Sequence, residues 1–138
     1  MISVDQVRIE LVSAFKAVHE ANYPSVPANY PNLTVVDIER QRDPFVSVDI
    51  DITNMMQAAL GERELLVPGF LNVYYYLRTG TGTTLAYQYT DMLNEYLGMT
   101  QIGALRFRPV VLRKIQTFPG WEGFMNSLQF DVVQSVTC

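Results

Sequence analysis

The stretch Gly69-Phe-Leu-Asn-Val-Tyr-Tyr-Tyr-Leu77, then Arg78-Thr-Gly80-Thr-Gly82-Thr-Thr84, then Leu85 to Leu97, decides how this chain is read. Its first part is rich in aromatic and branched residues and suits a pleated strand. Gly80 and Gly82 supply a tight turn. Leu85, Tyr89, Met92, Leu93, Tyr96 and Leu97 then recur at helical spacing, with Thr81, Thr83 or Thr84 as N-cap and Gly98 as the stop. Strand, Gly-x-Gly turn and helix N-terminus is also an order used to bind phosphate. A P-loop, however, places lysine and then a hydroxyl residue after its second glycine, and here Leu85 and Ala86 follow Thr84. The dinucleotide fingerprint requires glycine or alanine where Leu85 stands. Gly80 and Gly82 are therefore structural turn residues, and a small cytoplasmic ligand-binding or enzymatic domain that uses Thr81 to Thr84 as an anion site is the alternative.

Outward from this stretch the pattern is mainly strand. Phe70, Tyr74 and Tyr76 share one face, and Val73, Tyr75 and Leu77 share the other. A strand apolar on both faces needs helices on both sides or a face reserved for another subunit. Upstream, Phe45 to Thr53 alternates strictly: Val46, Val48, Ile50 and Ile52 point one way, and Ser47, Asp49, Asp51 and Thr53 the other. Asn54 to Glu64 breaks that alternation and reads as a helical turn or a long hairpin loop carrying Met55, Met56 and Leu60. Flexible methionines adapt to partner surfaces, so these three are candidate contact residues. Leu65 to Leu77 returns to strand, interrupted at Pro68-Gly69 by a bulge or edge kink.

The N-terminus opens with a capping box, Ser3-Val-Asp-Gln6, and a hydrophobic staple between Ile2 and Val7. Val4, Val7, Leu11, Ala14, Phe15 and Val18 give the helix that follows one apolar stripe, ending near Ala21. Pro24, Pro27 and Pro31 stiffen an extended connector, and Leu33 to Ile38 is a short strand. Towards the C-terminus, a strand from Ile102 to Ile115 bends at Pro109, Phe118 to Trp121 turns the chain, and Phe124 to Val136 closes with Leu128, Phe130 and Val132 inward. This order predicts an α+β fold in one domain, residues 1–138: a mostly antiparallel sheet with an N-terminal helix and a second helix, set between strands, packed on it.

The order of the aromatic strand, the Gly80-Thr-Gly-Thr83 turn, the amphipathic helix, Trp121 and a closing strand resembles the small tail terminator, or tail-completion, proteins of long-tailed bacteriophages. The likeness follows the order of elements through nearly the whole chain, with its sequence motif confined to Gly69 to Thr84 and the Trp121 region. Members often carry a proline soon after the aromatic strand, where this chain has Leu77-Arg78. The resemblance implies a homo-oligomeric ring, typically a hexamer, that caps the completed tail tube, stops its polymerisation and prepares the tail for head joining. Its implied partners are further copies of itself, the tail tube protein and head–tail connector proteins, with DNA passing through the ring without specific binding. Assembly would take place in the bacterial host cytoplasm, and the protein would end in the virion tail. Another neck or connector protein is a further alternative.

Composition fits that class. A chain of 138 residues with 49% hydrophobic and 12% aromatic residues has the material for a sizeable core. A net charge of −4 argues against a general nucleic-acid binder. No apolar run is long enough for a membrane span, and Met1 to Gln6 lacks the pattern of a signal peptide, so a cytoplasmic protein without membrane contact is expected. The single cysteine, Cys138, excludes an intramolecular disulfide and sits where a nucleophile could not be held in place.

Asp49 and Asp51 project from one strand face, but two carboxylates without neighbouring ligands do not fill a cation's shell, so no metal is expected. His19, the only histidine, stands near a helix C-terminus, where a positive imidazole would complement the dipole. No hydrolase constellation surrounds any serine, so neither an enzyme nor a cofactor site is expected. Arg106 and Arg108 share a strand face, and ion pairs with Asp49 and Asp51, within or between subunits, are their expected role. The expected interface set is thus Asp49, Asp51, Met55, Met56, Leu60, Phe70, Tyr74, Tyr76, Arg106 and Arg108.

Overall fold

The computed structural model describes residues 4–30, 40–52, 56–57, 64–66, 69–102 and 105–135. Helix α1 spans Val4–Asn22 and buries Val7, Leu11 and Phe15, with Ala14 and Val18 packed beside them, so the predicted stripe is the core face. The capping box residue Ser3, the staple residue Ile2 and the strand expected from Leu33 to Ile38 lie outside the described residues. Within the proline-rich connector, β1 (Ala28–Asn29) pairs in parallel with β2 (Phe45–Ile52), which makes the sheet mixed rather than wholly antiparallel.

The centre of the sheet is a three-strand antiparallel block in the order β2, β5 (Gly69–Arg78), β8 (Trp121–Ser135). Strand β7 (Leu105–Ile115) lies on the far side of β8, and β6 (Gln101–Ile102) folds back on β7. Strand β8 begins at Trp121, three residues before the expected Phe124, because Trp121 pairs with Arg78 at the end of β5.

A two-residue strand lies in the region expected to be a loop or helical turn, and the expected strand from Leu65 begins one residue earlier, at Glu64. Met56 lies in β3 (Met56–Gln57), opposite Leu66 of β4 (Glu64–Leu66), and β4 in turn pairs with the end of β8. Leu66 faces Val133 and Gly69 faces Phe130, so β4 and β5 both pair with β8. Pro68, the site of the expected bulge or edge kink, lies outside the described residues. Met55 and Leu60 lie outside the described residues. The bend expected at Pro109 is present: Phe107 pairs with Phe130 and Val110 with Leu128, leaving Arg108 and Pro109 to face Gln129 alone. Proline is accommodated there because a bulge does not require its missing N–H.

Helix α2 (Thr84–Tyr96) lies on the same side of the sheet as α1. Its core face is Ala86, Tyr89, Met92 and Leu93, followed by Leu97. Leu85 and Tyr96, expected on that face, are 42% and 47% exposed. They flank the apolar stripe, and Ala86 takes the inward position because its small side chain lets the helix sit close to the strands. Thr83 is the N-cap residue, yet its backbone is αR and its side chain makes no capping bond, contrary to the expected cap. At the other end the left-handed residue is Met99, with φ of 60°, not Gly98. Gly98 is needed for close approach instead, since a Cβ there would collide with the Asn94 side-chain oxygen and lie 2.8 Å from its backbone oxygen.

Candidate interaction surface

The two faces of β5 have different fates. Leu71, Val73, Tyr75 and Leu77 are buried in the main core with both helices, and burial pushes the Tyr75 hydroxyl up to about 12. On the opposite face lie Phe70, Tyr74 and Tyr76, the aromatic residues singled out in the sequence. No described helix covers that side, because α1 and α2 both pack on the other. Among the described residues the result is two layers, with one sheet face left uncovered.

That bare face is built in rows across four strands. Phe45 pairs with Tyr76, Ser47 with Tyr74, Asp49 with Asn72 and Asp51 with Phe70. The rows continue through Met125, Ser127 and Gln129 on β8 to Arg113 and Val111 on β7. One end is closed by its own aromatic cluster. Tyr76 stacks on Phe45 at 4.9 Å and on Phe118 at 5.4 Å, and Phe45 meets Trp121 edge-on at 5.1 Å. The Arg78 guanidinium lies 4.4 Å from the Trp121 ring centroid and donates to the Gln41 carbonyl. Tyr76 is thus largely a packing residue, its hydroxyl pKa raised first by burial and then by Tyr74.

The middle of the face is more open. Phe70 is 39% exposed and Val111 is 51% exposed. Together with Arg113, Met125 and Ser127 they line a shallow groove of about 240 Å³. Tyr74 is half-buried at its edge, and its hydroxyl pKa is raised by burial and by the Asp49 carboxylate.

The structure keeps Arg106 and Arg108 apart from Asp49 and Asp51, contrary to the ion pairs expected within the chain. Strands β5 and β8 lie between them. Both guanidinium groups turn instead to Asp131, which β8 places directly opposite Arg106, at 3.9 Å from Arg106 and 3.5 Å from Arg108. The sequence signal was available, since Asp131 lies on the same alternating face of its strand, but it required the β7–β8 register.

His19 also differs from expectation. It is buried against Phe15, its Nε2–H donates to the Val26 carbonyl and its Nδ1 accepts from the Tyr89 hydroxyl, each at 2.8 Å. Desolvation lowers its pKa, outweighing the Val26 bond and Glu20, which act to raise it. It joins α1, the connector and α2 as a neutral imidazole, not as a charged complement to the helix dipole.

Gly80 and Gly82 both hold φ of 90°, where a side chain is strained, and the Thr81 N–H closes the turn onto the Arg78 carbonyl. Asp49 and Asp51 are both exposed, and among the described residues no cluster of three or more metal-ligating side chains occurs. No described helix is long and apolar enough to cross a membrane.

No family model matches the chain, and no curated protein matches it. A solved structure whose name carries no functional description is similar over 100% of this chain and 100% of its own, with 21% identity and a TM-score of 0.66. At that identity the likeness establishes the shared fold and nothing further.

Proposed function

We propose that this protein is a structural assembly protein of the phage tail terminator type, which caps a finished tail tube as a homo-oligomeric ring. The observation that carries the reading is the aromatic strand β5, which leads through the Gly80/Gly82 turn into α2 and leaves Phe70 and Tyr74 on a sheet face that no described helix covers. Capping requires no covalent step: a ring that matches the tube end on one side and lacks the tube subunit's pairing surface on the other ends growth by shape alone. Tail tube protein, connector proteins and further copies of the chain are its proposed partners, in the host cytoplasm during assembly and then in the virion tail.

Mixing purified protein with polymerised tail tubes and imaging them in negative stain tests this directly. The expected result is added density at one tube end and a halt in elongation when tube subunits are supplied. Bare ends and unimpeded elongation would sink the proposal.

A further inference from the structure

The uncovered sheet face is apolar in its middle and oppositely charged at its two sides. Asp49 and Asp51 stand exposed on β2, and Arg113 stands exposed on β7. Strand β7 also carries Arg106 and Arg108, whose two guanidinium groups share the single carboxylate of Asp131. Three strand spacings of roughly 4.8 Å, or about 14 Å, separate β2 from β7, so Asp49 and Asp51 do not reach Arg113 within one chain. Among the described residues none of those three makes an ion pair. Phe70 on β5, Met125 on β8 and Val111 on β7 fill the groove between the two sides.

We infer that the free protein pairs with a second copy face to face, across a two-fold axis that lies along the strands between β5 and β8. Such an axis sets β2 of each copy over β7 of the other. It also keeps each cross-strand row near its own height, so the register fixes what meets. Asp49 shares a row with Asn72, Ser127 and Val111, and the adjoining row holds Ser47, Tyr74, Met125 and Arg113. Each Asp49 therefore arrives beside Val111 of the other copy and one row from its Arg113, about 7 Å along the strand, which an extended arginine side chain spans. Asp51 shares its row with Phe70, Gln129 and the bulge at Arg108, so it arrives where two guanidinium groups divide one carboxylate. Every contact occurs twice, and the apolar middle of one copy covers that of the other, as the inner faces of stacked sheets do at a separation of about 10 Å. Apolar surroundings strengthen a charge pair relative to open water. A second copy is the occupant that answers both signs of charge with one surface. The pairing is isologous, uses both sides of the face and stops at two copies. It does not rest on the capping reading and goes beyond it: this face is closed in the free protein, and a tube or connector reaches it only after the pair separates.

Sedimentation equilibrium of the full chain over a range of concentrations at low salt, and again at about 1 M salt where the Debye length falls to ~3 Å, provides the test. The variants are Asp49→Lys, Arg113→Glu and the two combined in one chain, all at exposed positions, with circular dichroism and melting establishing that each keeps its fold. Wild type is expected to show a monomer–dimer equilibrium with no larger species, weakened by salt. Either single variant should pair about tenfold more weakly, because the two-fold axis repeats each repulsion. The combined variant reverses the sign of both members of each pair and should regain wild-type pairing. A wild type that stays monomeric, an association that grows past a dimer, single variants that pair as wild type does, or a combined variant that fails to recover would each overturn the pairing.

Discussion

The Tyr89 hydroxyl donates to Nδ1 of His19 across the seam between α1 and α2, at 2.8 Å. The Val26 carbonyl accepts from the other ring nitrogen, so the neutral tautomer has both of its nitrogens hydrogen-bonded. Tyr89→Phe removes the only described donor to Nδ1 and leaves a buried acceptor unpaired. A loss of about 1–3 kcal/mol is expected in urea unfolding at neutral pH. A variant as stable as wild type would show that the bond contributes nothing.

The same imidazole makes stability depend on pH. Its folded pKa lies below the unfolded value of 6.5, chiefly through desolvation, so the unfolded chain binds the proton more readily. The stability His19 provides is therefore complete above about pH 6.5 and is lost as the pH falls towards and through the folded pKa. Glu20, whose charge favours the imidazolium, limits the shift, while Tyr89 faces the ring with a hydroxyl whose own pKa burial raises, so it does not ionise in this range. Melting temperatures between pH 5 and 8 should fall less steeply towards acid for His19→Gln than for wild type. Parallel curves would assign the dependence to other groups.

Asn126 is buried between β8 and α2. Its amide donates to the Val73 carbonyl at 3.1 Å and its side-chain oxygen accepts from the Thr90 hydroxyl. Thr90→Val keeps the shape and removes the donor, at an expected cost of about 1–3 kcal/mol. Adding Asn126→Leu should cost less on the Thr90→Val background than on wild type, because the stranded oxygen is then gone. Additive costs in the double-mutant cycle would contradict this coupling.

Arg106 and Arg108 share Asp131, whose side chain is only 10% exposed while theirs are 53% and 60% exposed. Either arginine alone keeps the carboxylate paired. Each single alanine variant should cost under about 1 kcal/mol. The double variant should cost clearly more than the sum, since it leaves a nearly buried charge uncompensated. Chemical unfolding of the three variants distinguishes this from independent surface pairs, which would simply add.

The turn into α2 separates a backbone role from a ligand role. Gly80→Ala and Gly82→Ala meet no atoms within 4 Å, so only the φ of 90° opposes them, at about 1–2 kcal/mol. Thr83→Ala should cost less than the ~0.5 kcal/mol at the low end for a lost cap, because Thr83 makes no such bond. Millimolar phosphate, ATP or NAD should leave the melting temperature unchanged. A saturable stabilisation abolished by Thr83→Ala would instead establish an anion site at Thr81 to Thr84.

What the sequence determined by itself was the kind and order of the elements with strong periodicity. The α1 stripe, the alternation of Phe45 to Thr53, the aromatic strand, the bend at Pro109 and the α+β class follow from side-chain spacing, which is set locally by 3.6-residue and two-residue repeats. Gly80 and Gly82 were readable for the same reason, because a tight turn is a local demand. Tertiary structure alone decided which partners meet across strands. The pairing of Arg106 and Arg108 with Asp131 needed the β7–β8 register, and the neutral state of His19 needed Tyr89, seventy positions away, to close over it. Strand β3 was missed because two residues carry too little period to read, and its pairing comes from the adjoining β4, whose Leu65 and Leu66 fall within the strand expected from Leu65. Which side of β5 stayed bare was likewise undecidable from a segment apolar on both faces. Packing both helices against Leu71, Val73, Tyr75 and Leu77 settled it, and that packing is a property of the whole core.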